Sequence, residues 1–137
     1  RAESDAGFVL ADLSAAGLSP NGWAARVADA FEHWKADFIV AEANQGGDMV
    51  KSVLQHAAPN LPIRLVHATR SKLTRAAPIA ALYEQHRIHH TGVFAELEDQ
   101  MCQYDGEGES PDRMDALVWA LTDLFGVKRT EPKIRSL

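Results

Sequence analysis

Residues 37–42, Asp-Phe-Ile-Val-Ala-Glu, form a continuous apolar run set between two stretches of helical periodicity, and this narrows the choice of architecture sharply. A run of that length reads as a strand, and one that is apolar on both faces needs helices packed above and below it. The flanking segments supply them. Upstream, Trp23, Val27, Phe31 and Trp34 recur at spacings of four, four and three, and Ser19-Pro20 fits an N-cap followed by a proline at the first helical position. Downstream of the Asn44–Gly47 turn, Met49, Val50, Val53 and Leu54 trace a second helix that ends at Pro59-Asn60.

The same grammar extends in both directions. Gly7 to Leu13 (GFVLADL) and Ile63 to His67 read as further strands, and Arg87 to His90 as a short one. Thr69 to Arg75 is basic and is expected to be irregular, with a helix beginning at Pro78 and running through Ile79, Leu82 and Tyr83. Phe94, Leu97 and Met101 suggest a short helix. Asp105 to Ser110 (DGEGES) reads as an acidic loop, and Asp112 to Phe125 as a final helix with Met114, Leu117, Val118, Leu121 and Leu124 inward. Strand-helix alternation predicts an α/β layer with parallel strand pairs, whose ligands gather at the carboxyl ends of the strands.

At 137 residues one domain is expected, spanning 1–125, followed by a loose basic tail over 126–137. The net charge of −5 argues against a bulk electrostatic nucleic-acid binder, so such a partner needs a local patch. One cysteine, Cys102, excludes an internal disulfide and a cysteine-built zinc site and points to a reducing, cytoplasmic setting. No run of 18 apolar residues occurs, so no spanning helix or membrane partner is expected.

Three features carry candidate chemistry. Glu42 closes the apolar run, where a carboxylate is costly to keep charged without compensation, and a divalent cation supplies it; an exposed strand-end glutamate is the plainer reading. Asp112 and Asp115, three apart at the start of the last helix, share one face. Asp112 reads first as a capping residue, worth about 0.3–1 kcal/mol against the helix dipole. Asp115 falls among inward-turned residues and needs a partner. Arg70, Lys72 and Arg75 follow the third strand; such a cluster is commonly a solvated face, but at the same edge as Glu42 it suits the phosphates of a polynucleotide. The glycine turn at Gly46-Gly47 fails as a phosphate loop, because Val50 stands where Gly must precede Lys-Ser. His86, His89 and His90 lack an acid or thiol at zinc-ligand spacing and read as surface histidines. Trp23, Trp34 and Trp119 lie on helix faces and read as core.

The strings Ile39–Leu54 (IVAEANQGGDMVKSVL), Arg70–His90 (RSKLTRAAPIAALYEQHRIHH), Phe94–Tyr104 (FAELEDQMCQY) and Ser110–Phe125 (SPDRMDALVWALTDLF) resemble, in this order, the nuclease domain of the large terminase subunit of tailed bacteriophages and prophages. The resemblance implies a ribonuclease H-like, three-layer α/β fold with a mixed central sheet and helices on both faces. It implies metal-dependent endonucleolytic cleavage of concatemeric double-stranded DNA in the cytoplasm of a bacterial host. Glu42 matches the second metal-binding carboxylate and Asp115 the last, with Asp112 an assisting neighbour; Lys72 resembles the family's lysine near the active site, and Arg75 a phosphate contact. The implied cofactor is a pair of Mg2+ or Mn2+ ions about 3.5–4 Å apart. The implied partners are DNA, an ATPase motor domain, the small terminase subunit and the portal.

One departure accompanies the match. Family members open this domain with a strand bearing the first catalytic Asp, upstream of the segment that GFVLADL resembles. Glu3, Asp5 and Asp12 are poor substitutes for it. The expectation is therefore a domain lacking that strand, inactive by itself or self-associating through an exposed sheet edge. A non-catalytic remnant that binds DNA or packaging partners, and a resolvase-like nuclease of the same fold, stand as alternatives.

Overall fold

The computed structural model describes residues 6–43, 47–69, 71–104 and 112–126. Its elements run β1 (Gly7–Val9), α1 (Pro20–Trp34), β2 (Ile39–Glu42), α2 (Gly47–Ala57), β3 (Ile63–Val66), α3 (Lys72–Glu84), β4 (Ile88–His90), α4 (Ala95–Gln103) and α5 (Asp112–Leu124). The α/β alternation expected from the periodicity is present, and β1 is shorter than the GFVLADL run. Expectations for Glu3, Asp5, the Asn44–Gly46 part of the turn, Arg70, the DGEGES loop and the tail beyond Gly126 lie outside the described residues.

Strand pairing follows the crossovers. β2 lies parallel to β3 with Ile39 opposite Ile63 and Glu42 opposite Val66, and β1 lies parallel to β4 with Gly7 opposite Ile88. Among the described residues these are two separate two-stranded sheets. Between the segment that leaves β1 and strand β2 runs an apolar cleft of about 670 Å3, lined by Leu13, Leu18, Trp23, Phe31, Trp34, Ile39 and Val40 and closed on one side by Ala120 of α5. Trp34, read from its helical spacing as core, is 43% exposed. Leu124, read as inward, is exposed as well. The α1 face that carries Trp34 is as apolar as its periodicity indicated, but its ring borders the cleft instead of a packed layer.

The continuous core joins β1 to the elements from α3 to α5. Val9 of β1, Ile79 and Leu82 of α3, Ile88 of β4, Leu97 of α4, and Val118 and Leu121 of α5 pack as one buried cluster. α1 packs on α2, where Ala24 and Leu54 are buried. α1 starts as expected: Ser19 is its N-cap, the Ser19 Oγ accepts from the Gly22 N–H at 3.1 Å, and Pro20 occupies the first turn.

α3 departs from the sequence reading in a way that shapes the site. It begins at Lys72, six residues before Pro78, so that Lys72 to Arg75 of the basic segment form its first turn instead of an irregular loop. The Ser71 Oγ caps it by accepting from the Thr74 N–H at 3.1 Å. Pro78 sits inside the helix. The carbonyl whose donor Pro78 lacks belongs to Thr74, an exposed residue, so no buried acceptor is stranded.

A polar strap ties β4 to the helices on either side. The Tyr83 hydroxyl and His90 Nε2 lie 2.7 Å apart, His90 Nδ1 meets Glu98 Oε2 at 3.0 Å, and the same oxygen accepts from the Phe94 N–H at 3.0 Å. Burial, reinforced by the negative charge of Glu98, pushes the Tyr83 phenol up to about 12. The hydrogen bond from His90, then that from Phe94, holds the Glu98 carboxyl below its ordinary value of 4.5. A carboxyl lowered by folding contributes stability above pH 4.5 that is lost as the pH falls through its folded value. Glu98→Gln is therefore expected to unfold at lower urea concentration than the parent at pH 7, with the gap closing on acidification. A gap that stays constant with pH contradicts the strap.

Candidate functional site

The carboxyl end of β2, the first turn of α3 and the first two turns of α5 meet around one cleft of about 500 Å3. It is lined by Glu42, Ser71, Lys72, Arg75, Asp112, Asp115 and Trp119. Each element delivers its residue for a local reason. β2 ends at Glu42, so that carboxylate leaves the sheet where parallel strands expose their ligand-binding edge. Ser71 starts α3 one residue before Lys72, and the three-residue spacing of Lys72 and Arg75 puts both cations on one face. Asp115 lies one turn into α5 on the face that carries Met114, Val118 and Trp119 inward.

Asp115 is the centre of the arrangement. At 5% exposure it is the one buried charged residue among those described. Its Oδ1 accepts from the Arg75 guanidinium at 2.9 Å, and its Oδ2 lies 3.5 Å from Lys72 Nζ. A buried carboxylate survives only with such pairing. The Arg75 side chain is nearly as buried as the acid, whereas that of Lys72 is 32% exposed. Arg75 thus binds inward, and Lys72 is the cation with access to solvent.

Glu42 joins this network through Trp119. The Trp119 Nε1–H donates to Glu42 Oε2 at 3.1 Å. The Arg75 guanidinium carbon sits 4.7 Å from the centre of the same indole, within cation–π range. Five residues from three elements thus make one continuous set: Glu42, Trp119, Arg75, Asp115 and Lys72. Asp112 lies exposed at the rim of the cleft.

The residues singled out from sequence are therefore brought together, apart from Arg70, which lies outside the described residues. Trp119, taken as plain core, is buried and also donates to Glu42; the signal was its position four residues after Asp115, one helical turn away. Ser71 was missed because Pro78 was taken as the helix start. Asp12 stands apart, paired with Arg113 at 3.2 Å and lining a different cleft. Burial raises its carboxyl, but the hydrogen bonds from Ser14 and the charge of Arg113 outweigh this and hold it below its ordinary range. His86 and His89 are exposed, the latter stacked on Phe8, whereas His90, expected at the surface, is partly buried in the strap with Tyr83 and Glu98.

For a hard divalent cation the donors fit in kind, since Glu42, Asp115 and Asp112 offer carboxylate oxygens to a common space. Among the described residues no three His, Cys, Asp or Glu side chains stand close enough together to hold an ion by themselves. Each oxygen of Asp115 already faces a cation, so an entering ion competes first with the partly exposed Lys72.

The α/β alternation, with acids and cations at the carboxyl end of a parallel strand, is consistent with the ribonuclease H-like class expected above, although the strands among the described residues pair only in parallel and not as a mixed sheet. The chain is a member of the terminase RNaseH-like domain family, which matches it over residues 1–124. No curated protein and no solved structure matches it significantly.

Removing one partner of a buried ion pair leaves an uncompensated charge and costs about 3–5 kcal/mol. Arg75→Met is expected to fall in that range by urea denaturation. Adding Asp115→Asn to it should recover part of the loss, because the stranded charge is then gone. Strictly additive losses in the double-mutant cycle contradict the pairing.

Proposed function

We propose that this domain cleaves concatemeric double-stranded DNA during packaging, using Mg2+ or Mn2+ held by Glu42 and Asp115 with Asp112 assisting. The observation that carries the reading is that Glu42 and Asp115, far apart in sequence, line one cleft together with Lys72 and Arg75. The bound cations would supply an activated water and charge stabilisation of the departing oxygen. The protein's own groups do the rest. Trp119 and Arg75 hold the two carboxylates, the backbone of β2 and α5 sets their separation, and Lys72 offers its ammonium to a phosphate at the cleft mouth. Membership of a packaging family suggests an ATPase motor domain, the small terminase subunit and the portal as partners, and the host cytoplasm as the place of action.

A second reading has its own support. Both Asp115 oxygens are engaged by cations, and no group of three metal-ligating side chains forms among the described residues, which favours a domain that binds DNA without cutting it.

Plasmid incubated with Mn2+ and with this chain or a version extended upstream by the strand that bears the first acid separates the two. Cleavage that drops on the order of a hundredfold in Glu42→Ala and in Asp115→Asn supports the nuclease, since both acids act on the reacting centre. A mobility shift of DNA without nicking supports the binding reading. In either case Lys72→Ala is expected to weaken DNA binding and to lower the slope of log affinity against log salt by about 1, the signature of one lost phosphate contact. An unchanged slope removes Lys72 from the interface.

A further inference from the structure

Trp119 occupies an unusual place for a core residue. It is 7% exposed, its single N–H is directed at a carboxylate, and its ring lies under the guanidinium that grips the second carboxylate. An indole N–H donates only, and buried at this level it must have an acceptor. Packing alone does not require that acceptor to be Glu42, for a backbone carbonyl would serve equally well. Glu42 in turn is the last residue of its strand and only partly buried, and the Trp119 N–H gives its carboxylate a fixed donor. One bond therefore fixes the carboxylate and satisfies the indole.

We propose that Trp119 is a positioning residue for cation binding: it tethers Oε2 of Glu42 so that the carboxylate is preset in the cleft, and by stacking under Arg75 it couples Glu42 to Asp115. This rests on the reading of Glu42 and Asp115 as ligands of a divalent cation. Hydrogen bonds from the surrounding shell that orient a ligand carboxylate are worth about ten- to hundredfold in metal affinity. Trp119→Phe keeps an aromatic face for Arg75 while removing the donor, at the cost of some buried ring volume.

The test uses the intact chain and Mn2+ alone, with free ion followed by electron paramagnetic resonance. Trp119→Phe is expected to weaken Mn2+ binding about tenfold, and Glu42→Gln at least as much. A second measurement stands if Trp119→Phe fails to fold. The protein has three tryptophans, and one of the three indole N–H resonances of the parent is expected to shift in Glu42→Gln and to be the first to broaden on adding Mn2+. Parent-like Mn2+ affinity in Trp119→Phe, with Glu42→Gln impaired, overturns the positioning role and leaves the ligand assignment standing. Indole resonances that ignore Glu42→Gln overturn the tether directly. Mn2+ binding that is absent from the parent, or indifferent to both Glu42→Gln and Asp115→Asn, overturns the ligand assignment and the positioning role with it.

Discussion

A single buried carboxylate organises this domain. Asp115 cannot be taken from water without compensation, and the compensation comes from a different helix, so α3 and α5 must approach with their first turns aligned. Arg75 meets that demand and at the same time presents its face to Trp119, which reaches to Glu42 on β2. The ion pair therefore fixes the relative placement of two helices and a strand at the end of the sheet where ligands collect. The hydrophobic cluster of Val9, Ile79, Leu82, Ile88, Leu97, Val118 and Leu121 supplies bulk cohesion behind it without directing any of these polar groups.

Position on α3 divides the labour of its two cations. The Arg75 side chain is largely shielded and meets Asp115 at a short distance, while Lys72, one turn earlier, touches the same acid at longer range and stays partly in solvent. A guanidinium suits the first task because its planar fork holds a carboxylate while its face stacks on an aromatic ring. An ammonium on a flexible stem suits the second. It can leave the carboxylate for a phosphate at modest cost, because a partly exposed pair contributes little.

Periodicity made much of this legible. Ser19-Pro20 marked the start of α1, the apolar 37–42 run located β2 with Glu42 at its end, and the spacing in 112–125 located α5 with Asp115 at the core boundary. What escaped has a shared cause. Local pattern rules judge each residue by its neighbours in sequence, so Pro78 was taken as a helix start, although Ser71 capped the helix earlier and Thr74 lay exposed. Trp119 was judged by its apolar spacing, and the acceptor for its N–H sits on a remote strand. The split into two strand pairs and the exposure of Trp34 depend on what faces them in space, which no local rule reports. The site was legible as residue types at the right ends of elements; the connections among those residues were not.

The apolar cleft between the segment leaving β1 and strand β2 has a thermodynamic consequence. Its lining of Leu13, Leu18, Trp23, Phe31 and Trp34 remains wetted, so part of the hydrophobic free energy of this sequence is left unspent within the domain. By mass action, any ligand that covered this lining and bound only the folded form would add RT ln(1 + [L]/Kd) to the folding free energy, about 2.7 kcal/mol at a hundred times its dissociation constant. The melting temperature of this domain would then rise with the concentration of whatever covered the cleft.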